Sequence, residues 1–147
     1  MPVMKPILLV EDDVVDASTV KQALRDLRVR NPLVHKTDGE EALEYLKDKD
    51  SQIPALMLLD LNMPKISGVE LLQIIRADSQ LANIPVVVLT VSKYEQDKVD
   101  TFDLGVAGYI IKAVDYDDFL RAMDIIIQYW SWNGLVEKEK EEENARL

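Results

Sequence analysis

Short apolar runs alternate along the chain with segments in which apolar residues recur at helical spacing. The runs have the length of strands, and three of them are apolar throughout, which is typical of parallel strands covered by helices on both faces of a sheet. The second run contains His35 and Lys36, and it alone of the five has the composition of an edge strand. The pattern predicts strands at Pro6 to Val10, Leu33 to Thr37, Ala55 to Asp60, Pro85 to Thr90 and Ala107 to Ile111.

The segments between the runs predict helices. Ser67 with Glu70 three residues later is the pattern of a capping box, and Asp115 with Asp118 opens the last helix in the same way. Strict alternation of five strands and five helices predicts a doubly wound α/β fold, a (βα)5 three-layer sandwich. We expect one parallel five-stranded sheet in the flavodoxin-like order 2-1-3-4-5. The helical repeats after the first two strands are Ala17, Val20, Ala23, Leu24, Leu27 and then Ala42, Leu43, Leu46.

Composition narrows the class of partner. A chain of 147 residues matches one domain with a single core. Its net charge of −10 argues against nucleic acid or an anionic membrane as partners and favours proteins. The chain has no Cys, which excludes disulfides and thiolate metal sites. The segment before the first acidic cluster is too short for a signal peptide and no apolar run approaches ~20 residues, so we expect no membrane span and a cytoplasmic location.

The chain from about Val136 differs from the rest. Charges alternate from Glu137 to Glu143 without apolar periodicity, and segments so dense in charge bury too little surface to become ordered. We therefore expect a folded domain over residues 1–132. The charged C-terminal tail, residues 133–147, is predicted to be a frayed or partly disordered helical extension.

Polar residues follow four of the predicted strands, at the point where each strand ends. The carboxyl ends of parallel strands meet at one edge of an open sheet, where ligands bind. An acid cluster, a hydroxyl and an ammonium are therefore expected side by side. They are Glu11 and Asp12 after the first strand, Asp60 at the third, Thr90 at the fourth and Lys112 after the fifth.

These groups have complementary chemistry. Neighbouring carboxylates repel one another unless a cation is bound, and a group of carboxylates favours a hard, oxygen-seeking ion such as Mg²⁺, with Mn²⁺ as an alternative. A carboxylate can also accept a phosphoryl group, and its central position makes Asp60 the predicted acceptor. Lys112 and Thr90 would then meet phosphoryl oxygens. Taken singly, Asp12 or Asp13 is better explained as a helix N-cap, Thr90 as a strand end and Lys112 as a solvated charge.

These segments resemble the receiver domains of two-component response regulators over about residues 5 to 131. The spacings of 30 residues from Asp60 to Thr90 and of 52 residues to Lys112 are those of receivers. The matching segments are Ile7 Leu8 Leu9 Val10 Glu11 Asp12 Asp13, then Leu58 Leu59 Asp60 Leu61 Asn62 Met63 Pro64 with Gly68, then Val87 Val88 Leu89 Thr90, and last Gly108 Tyr109 Ile110 Ile111 Lys112.

The resemblance implies a phosphoacceptor and a metal site. Asp60 would take a phosphoryl group from a sensor histidine kinase. Asp12 and Asp60 would bind Mg²⁺ directly, Glu11 would bind it through water, and the main-chain carbonyl of Asn62 would supply a further ligand. Phosphorylation and dephosphorylation of the chain itself would be its chemistry, without turnover of other substrates, so we do not expect an enzyme.

The resemblance also implies a switch. Lys112 would pair with the phosphoryl group, the Thr90 hydroxyl would move to it, and the Tyr109 ring would move inward behind the threonine. The chain departs from the family in having Ala113 where most receivers have a Pro after a cis bond, which makes a trans bond the expectation. Val91 is the second departure, and its branched side chain is expected to narrow access to the acceptor.

A narrower resemblance concerns the partners. Residues 47–54, the segment from Ile84 to Thr90 and the segment from Ile127 to Trp130 resemble stand-alone regulators paired with phytochrome kinases. After Trp132 the sequence has 15 residues, too few for an output domain, so we expect output through protein contacts. Onward transfer to a histidine phosphotransfer protein stays open.

The last predicted helix is apolar on more than one side. Ile125, Tyr129 and Trp132 fall beside or beyond its core stripe, which indicates either a wider core contact or a covered surface. Relatives of the phytochrome-associated type are thought to dimerise here, so we expect a homodimer through this C-terminal region. The core stripe is Phe119, Leu120, Met123, Ile126, Ile127 and Trp130.

Two other functions compete with a signalling receiver. A Mg²⁺-dependent phosphohydrolase using an aspartyl phosphate commonly has a second Asp two residues after the nucleophile, and here that residue is Asn62. A phosphorylation-independent interaction domain would not need the full set of strand-end residues. His35 is expected to be an ordinary strand or loop residue, since there is no second His for a two-His metal site.

Overall fold

The computed structural model describes residues 4–90, 92–112 and 115–139, in which five strands alternate with five helices. All four strand pairings are parallel and the sheet order is β2-β1-β3-β4-β5, so the predicted doubly wound, flavodoxin-like fold is confirmed. In chain order the elements are β1 (Ile7–Val10), α1 (Val14–Asp26), β2 (Leu33–Lys36), α2 (Gly39–Lys47), β3 (Leu56–Asp60), α3 (Gly68–Ala77), β4 (Val86–Thr90), α4 (Lys93–Asp100), β5 (Gly108–Ile111) and α5 (Tyr116–Trp132).

The three central strands are buried on both faces. Successive side chains of a strand point to opposite faces, so Ile7 and Leu9 of β1 pack with α1 and α5 on one side of the sheet. Leu8 and Val10 pack with α2 and α3 on the other side. This double burial explains why the runs of β1, β3 and β4 are continuously apolar.

The two edges of the sheet differ in how well the sequence reveals them. β2 is partly exposed along its whole length, and the ring of His35 on that strand contacts the main-chain oxygen of Glu11 at 2.8 Å. The second edge is β5, as the predicted order 2-1-3-4-5 requires, although the composition of this strand does not mark it as an edge. Helix α5 packs over this strand, with the Cδ1 atom of Ile126 near Gly108. The strand is therefore apolar although it lies at an edge.

Each helix begins at a side chain that caps its first turn. The capping residue accepts a hydrogen bond from the main-chain N–H three positions later in all five helices, as predicted for Ser67 and Asp115. Within the described ranges no helix combines the length and the apolarity needed to cross a bilayer. The five N-caps are Asp13, Asp38, Ser67, Ser92 and Asp115.

The beginning of the charged tail packs back on the domain, contrary to the extension predicted from Val136. The Val136 side chain is 2% exposed and belongs to the core beneath α1 and α5. Lys138 pairs antiparallel with Val29 as an isolated bridge, and the Asn31 side chain accepts the N–H of Glu137 at 2.6 Å. This segment is held by one apolar side chain and by hydrogen bonds of its main chain. Neither feature produces a periodic pattern in the sequence. Residues 140–147 of the predicted tail lie outside the described residues.

Gly68 lets α3 begin against the end of β3. Its N–H donates to the carbonyl of Leu61 at 3.1 Å. A Cβ atom at this position would lie 2.6 Å from the Asp60 oxygen and 2.6 Å from the Leu61 Cα, and these main-chain atoms have little freedom to move aside. The missing side chain therefore allows the β3–α3 loop to close on the strand end that carries Asp60.

We expect Gly68→Ala to lower the free energy of unfolding by about 1–3 kcal/mol, because the added methyl overpacks against the main chain. Gly108→Ala is the matched control, since its Cβ would meet its nearest neighbour at 3.7 Å, an ordinary contact. Equilibrium unfolding in urea measures both variants. Equal stabilities for the two would contradict this account of the loop.

Candidate phosphoacceptor site

The strand ends bring the predicted polar residues together at the carboxyl edge of the sheet. Glu11 is fully buried after β1, Asp60 is 2% exposed at the end of β3, and Thr90 is fully buried at the end of β4. Lys112 follows β5, and its side chain reaches back over this edge with 12% exposure. Three ionisable groups are therefore withdrawn from water within one small volume.

The acids form a group with the geometry of a cation site. Glu11, Asp12 and Asp60 each offer one carboxylate oxygen, and these oxygens lie within 4.8 Å of one another. Glu11 Oε1 is buried, and the Lys112 ammonium lies 2.9 Å from it. An all-oxygen, negatively charged donor set fits a divalent cation. Asp13 is separate from this group, because its side chain accepts from the N–H of Asp16 at 2.9 Å and caps α1.

The Lys112 ammonium is the positive charge at the centre of these acids. Its Nζ lies 2.9 Å from Glu11 Oε1, 2.8 Å from Asp16 Oδ2 and 3.3 Å from Asp60 Oδ1. Burial lowers the pKa of Lys112, but hydrogen bonds to Asp16 and Glu11 and the charge of Asp60 outweigh it and hold that pKa above its usual range. Lys112 is therefore charged at all physiological pH values.

One ammonium does not compensate the buried carboxylates. Burial raises the pKa of the Glu11 carboxyl to about 7, although the hydrogen bond to Lys112 opposes this. Burial also raises the pKa of Asp60, with Glu11 and Lys112 acting in the opposite direction. Without a metal ion, the Glu11–Asp60 pair thus retains a proton at pH values between 4.5 and about 7, where a free glutamate carboxyl has lost it.

The Thr90 hydroxyl is hydrogen-bonded on the side of α4. Its Oγ1 lies 2.8 Å from Glu95 Oε1 and 2.9 Å from the carbonyl oxygen of Ser92, two acceptors for its single hydrogen. The Asn62 side chain donates from Nδ2 to Glu95 Oε2 at 2.5 Å. The N–H of Asn62 donates to Asp60 Oδ1 at 3.3 Å. The β3–α3 loop and the first turn of α4 are thereby joined above the site.

Tyr109 is also held by α4. Its phenol donates to Asp100 Oδ1 at 2.5 Å, and burial together with this bond raises its pKa. The ring is partly buried against the core between the sheet, α3 and α4. Both predicted switch residues, Thr90 and Tyr109, are therefore hydrogen-bonded to side chains of α4. The predictions on the Ala113 bond and on Val91 lie outside the described residues.

Two polar residues of the site were not predicted from the sequence. Asp16 lies in the first turn of α1 and pairs with Lys112, and nothing in its spacing indicates that contact. Glu95 has a signal, because it stands three residues after Ser92 in a capping-box pattern. That pattern predicts a helix start and gives no indication of a bond to Thr90.

Comparison with known proteins identifies the family to which this fold belongs. The family profile described as response regulator receiver domain matches residues 7–124. The chain therefore belongs to the family of response regulator receiver domains, and its role is that of a receiver in two-component phosphorelay signalling.

Relatives include phytochrome-associated regulators. The response regulator Rcp1 of Synechocystis sp. is 36% identical over 130 residues, covering 86% of this chain and 88% of Rcp1. The solved Mn²⁺-bound form of Rcp1 has a TM-score of 0.76 and covers 86% of this chain and 94% of that chain. The solved structure of the bacteriophytochrome response regulator RtBRR is 41% identical and has a TM-score of 0.74. The match covers 82% of this chain and 76% of RtBRR. The predicted resemblance is thus confirmed.

Similarity extends to another kind of regulator. The probable methanogenesis regulatory protein FilR2 of Methanothrix harundinacea is 36% identical over 131 residues, covering 86% of this chain and 84% of FilR2. Rcp1 and FilR2 are therefore equally similar to this chain although their names describe different regulators.

We expect the metal-free protein to lose unfolding free energy as the pH rises from 4.5 to about 7 through the Glu11 transition. In this window the folded state holds a proton on Glu11 that the unfolded state has released, so rising pH favours unfolding. Glu11→Gln, which does not titrate, should flatten this part of the profile, and Glu44→Gln on the exposed side of α2 is the control. Urea unfolding in chelator at several pH values measures it. Parallel profiles for wild type and Glu11→Gln would contradict the assignment.

Proposed function

We propose that Asp60 is the phosphoacceptor of this receiver. An Asp60 carboxylate oxygen attacks the phosphorus of a phosphohistidine on a sensor kinase, the P–N bond breaks, and the imidazole leaves with the bonding electrons. The observation that carries the proposal is the environment of Asp60, a buried carboxylate with an ammonium 3.3 Å from its Oδ1. Catalysis of phosphoryl transfer is mainly positioning and charge neutralisation, and these neighbours supply both.

The ion for this site is Mg²⁺, with Mn²⁺ as an alternative. Asp12 and Asp60 would bind it directly, Glu11 through water, and Asn62 through its main-chain carbonyl. Support comes from the all-oxygen donor set and from the Mn²⁺-bound form of the relative Rcp1. When bound, the ion neutralises charge on a phosphoryl oxygen, while Lys112 pairs with another.

Thr90 and Tyr109 form the proposed switch. After phosphorylation the Thr90 hydroxyl donates to a phosphoryl oxygen and leaves its contacts on α4, and the Tyr109 ring moves inward behind it. The hydrogen bonds to Glu95 and Asp100 define the resting arrangement, and both would break in this movement. New charge at Asp60 thereby biases a packed element with two arrangements.

The signal is passed by protein contacts without enzymatic turnover of other substrates. Asn62 occupies the position at which an aspartyl-phosphate hydrolase commonly carries its acid, and an amide does not deliver a proton. The kinase is proposed to be a phytochrome, on the strength of the similarity to Rcp1 and RtBRR. A histidine phosphotransfer protein is a further candidate acceptor of the phosphoryl group.

A homodimer through α5 is the second part of this proposal. Ile125 is 71% exposed, Tyr129 60% and Trp132 91%, and all three lie on α5. The opposite side of α5 already packs in the core through Phe119 and Met123. Apolar side chains on this scale are normally covered, and a second copy would cover both patches at once by two-fold symmetry.

With acetyl phosphate and Mg²⁺, the wild type is expected to gain one phosphoryl group per chain, and Asp60→Asn is expected to gain none. Asp13→Asn is the control, because asparagine preserves the cap of α1 and removes an acid next to the cluster. Intact-mass spectrometry with and without chelator is the measurement. An unlabelled wild type would favour a phosphorylation-independent domain, and steady phosphate release from small esters would favour a hydrolase.

Sedimentation at micromolar protein should reveal a species of twice the chain mass. Trp132→Ala is expected to shift it to the monomer, since most of the exposed indole would be buried between copies. Tyr94→Ala on α4, an aromatic residue with 77% exposure, is the matched control. A wild type that stays monomeric with and without phosphorylation would refute the dimer.

A further inference from the structure

The carboxylate of Glu95 connects two residues of the phosphoacceptor site. Its Oε1 lies 2.8 Å from the hydroxyl of Thr90, and its Oε2 lies 2.5 Å from the side-chain nitrogen of Asn62. The N-cap of α4 orients Glu95, whose N–H donates to Ser92 Oγ at 3.3 Å. A single side chain on the first turn of α4 thus binds the end of β4 and the loop after β3.

The bond to Glu95 occupies the only hydrogen that the Thr90 hydroxyl has. A hydroxyl that donates to Glu95 does not at the same time donate to a phosphoryl oxygen on Asp60. A bond to an ionised acceptor is also about twice as strong as a bond to a neutral one, so the carboxylate competes better than the Ser92 carbonyl. Glu95 therefore opposes the movement of Thr90 toward the acceptor.

Charge acts in the same direction. An aspartyl phosphate is a dianionic group, and a carboxylate held on Asn62 and Thr90 at the rim of that site would be repelled by it. Asn62 also connects directly to the acceptor, since its N–H lies 3.3 Å from Asp60 Oδ1. The bonds of Glu95 and a phosphorylated Asp60 are therefore alternatives.

We propose that Glu95 is a positioning residue that holds Thr90 and Asn62 in the unphosphorylated arrangement, and that phosphorylation of Asp60 displaces it. The inference rests on the proposed function of Asp60 and adds a residue to it. Glu95 raises the free energy of the phosphorylated arrangement relative to the resting one, so it sets how readily the receiver is activated. Its release also frees the first turn of α4 to move.

The test uses the full chain with beryllium fluoride and Mg²⁺, which together mimic the phosphoryl group on Asp60. Glu95→Gln keeps the size of the side chain but removes its charge. The glutamine amide has one acceptor oxygen in place of two, so it cannot accept from both Thr90 and Asn62 as the carboxylate does. We expect roughly tenfold tighter binding of beryllium fluoride, the effect of losing one charge-assisted hydrogen bond from the resting state. Titration followed by tryptophan fluorescence or by NMR gives the affinities.

Two comparisons separate this role from a structural one. Glu70→Gln is the matched control, because Glu70 lies three residues after the N-cap Ser67 of α3, just as Glu95 lies three residues after the N-cap Ser92 of α4. The affinity of the Glu70→Gln variant for beryllium fluoride should equal that of the wild type. Thr90→Val removes the hydroxyl, and in that background Glu95→Gln should lose most of its effect, since the two residues act through one bond. Urea unfolding of Glu95→Gln checks that stability is retained.

The outcomes are distinct. A tenfold gain that disappears in the Thr90→Val background supports the inference. Unchanged or weaker binding by Glu95→Gln, beside a responsive wild type and Glu70→Gln, overturns it and leaves Asp60 as the acceptor. A gain of undiminished size without the Thr90 hydroxyl also overturns it, because the bond between Glu95 and Thr90 would then contribute nothing. A wild type that does not bind beryllium fluoride overturns the proposed function itself.

Discussion

The burial of two carboxylates beside one ammonium is the constraint on which the site depends. Glu11 and Asp60 are withdrawn from water at the carboxyl end of a sheet whose central strands are fully buried. Lys112 contacts both and is shared with Asp16, so the negative charge is not fully balanced. Charges buried without sufficient partners are unstable, and they can gain stability by protonation or by binding a cation. The apolar core below thus holds the acids ready for a divalent ion and for phosphoryl chemistry.

The same edge of the sheet connects chemistry to movement through α4. Thr90 contacts this helix through Glu95, and Tyr109 contacts it through Asp100. Of the residues of α4, Val99 is the one that is buried, whereas α3 buries four. Segments with few buried apolar contacts have the lowest local stability and are the ones that rearrange. A change of charge at Asp60 is therefore proposed to act most readily on α4 and on the surface that this helix presents to partners.

Most of the framework was predictable because strand burial and strand ends are properties of local sequence. Continuous apolar runs located β1, β3 and β4, and the polar residue after each run located Glu11, Asp60 and Thr90. The contacts that side chains make from the first turn of a helix were not predictable. The spacing of residues along the sequence does not show which neighbour such a side chain reaches. Asp16 and Glu95 were missed for this reason. The packing of Val136 was missed because a single apolar residue has no periodicity that distinguishes a buried position from an exposed one. The composition of β5 did not mark it as an edge strand, and its edge position followed only from the predicted strand order.

The phosphoryl group is proposed to reside on Asp60 and on no other acid of the cluster. Reduction of the phosphorylated protein with borohydride converts an aspartyl phosphate to homoserine, and peptide mapping by mass spectrometry then locates that residue. We expect homoserine at position 60, in the peptide that contains the end of β3. Homoserine at Asp12 or at Asp13, or a stable phosphoryl group on a hydroxyl, would contradict it.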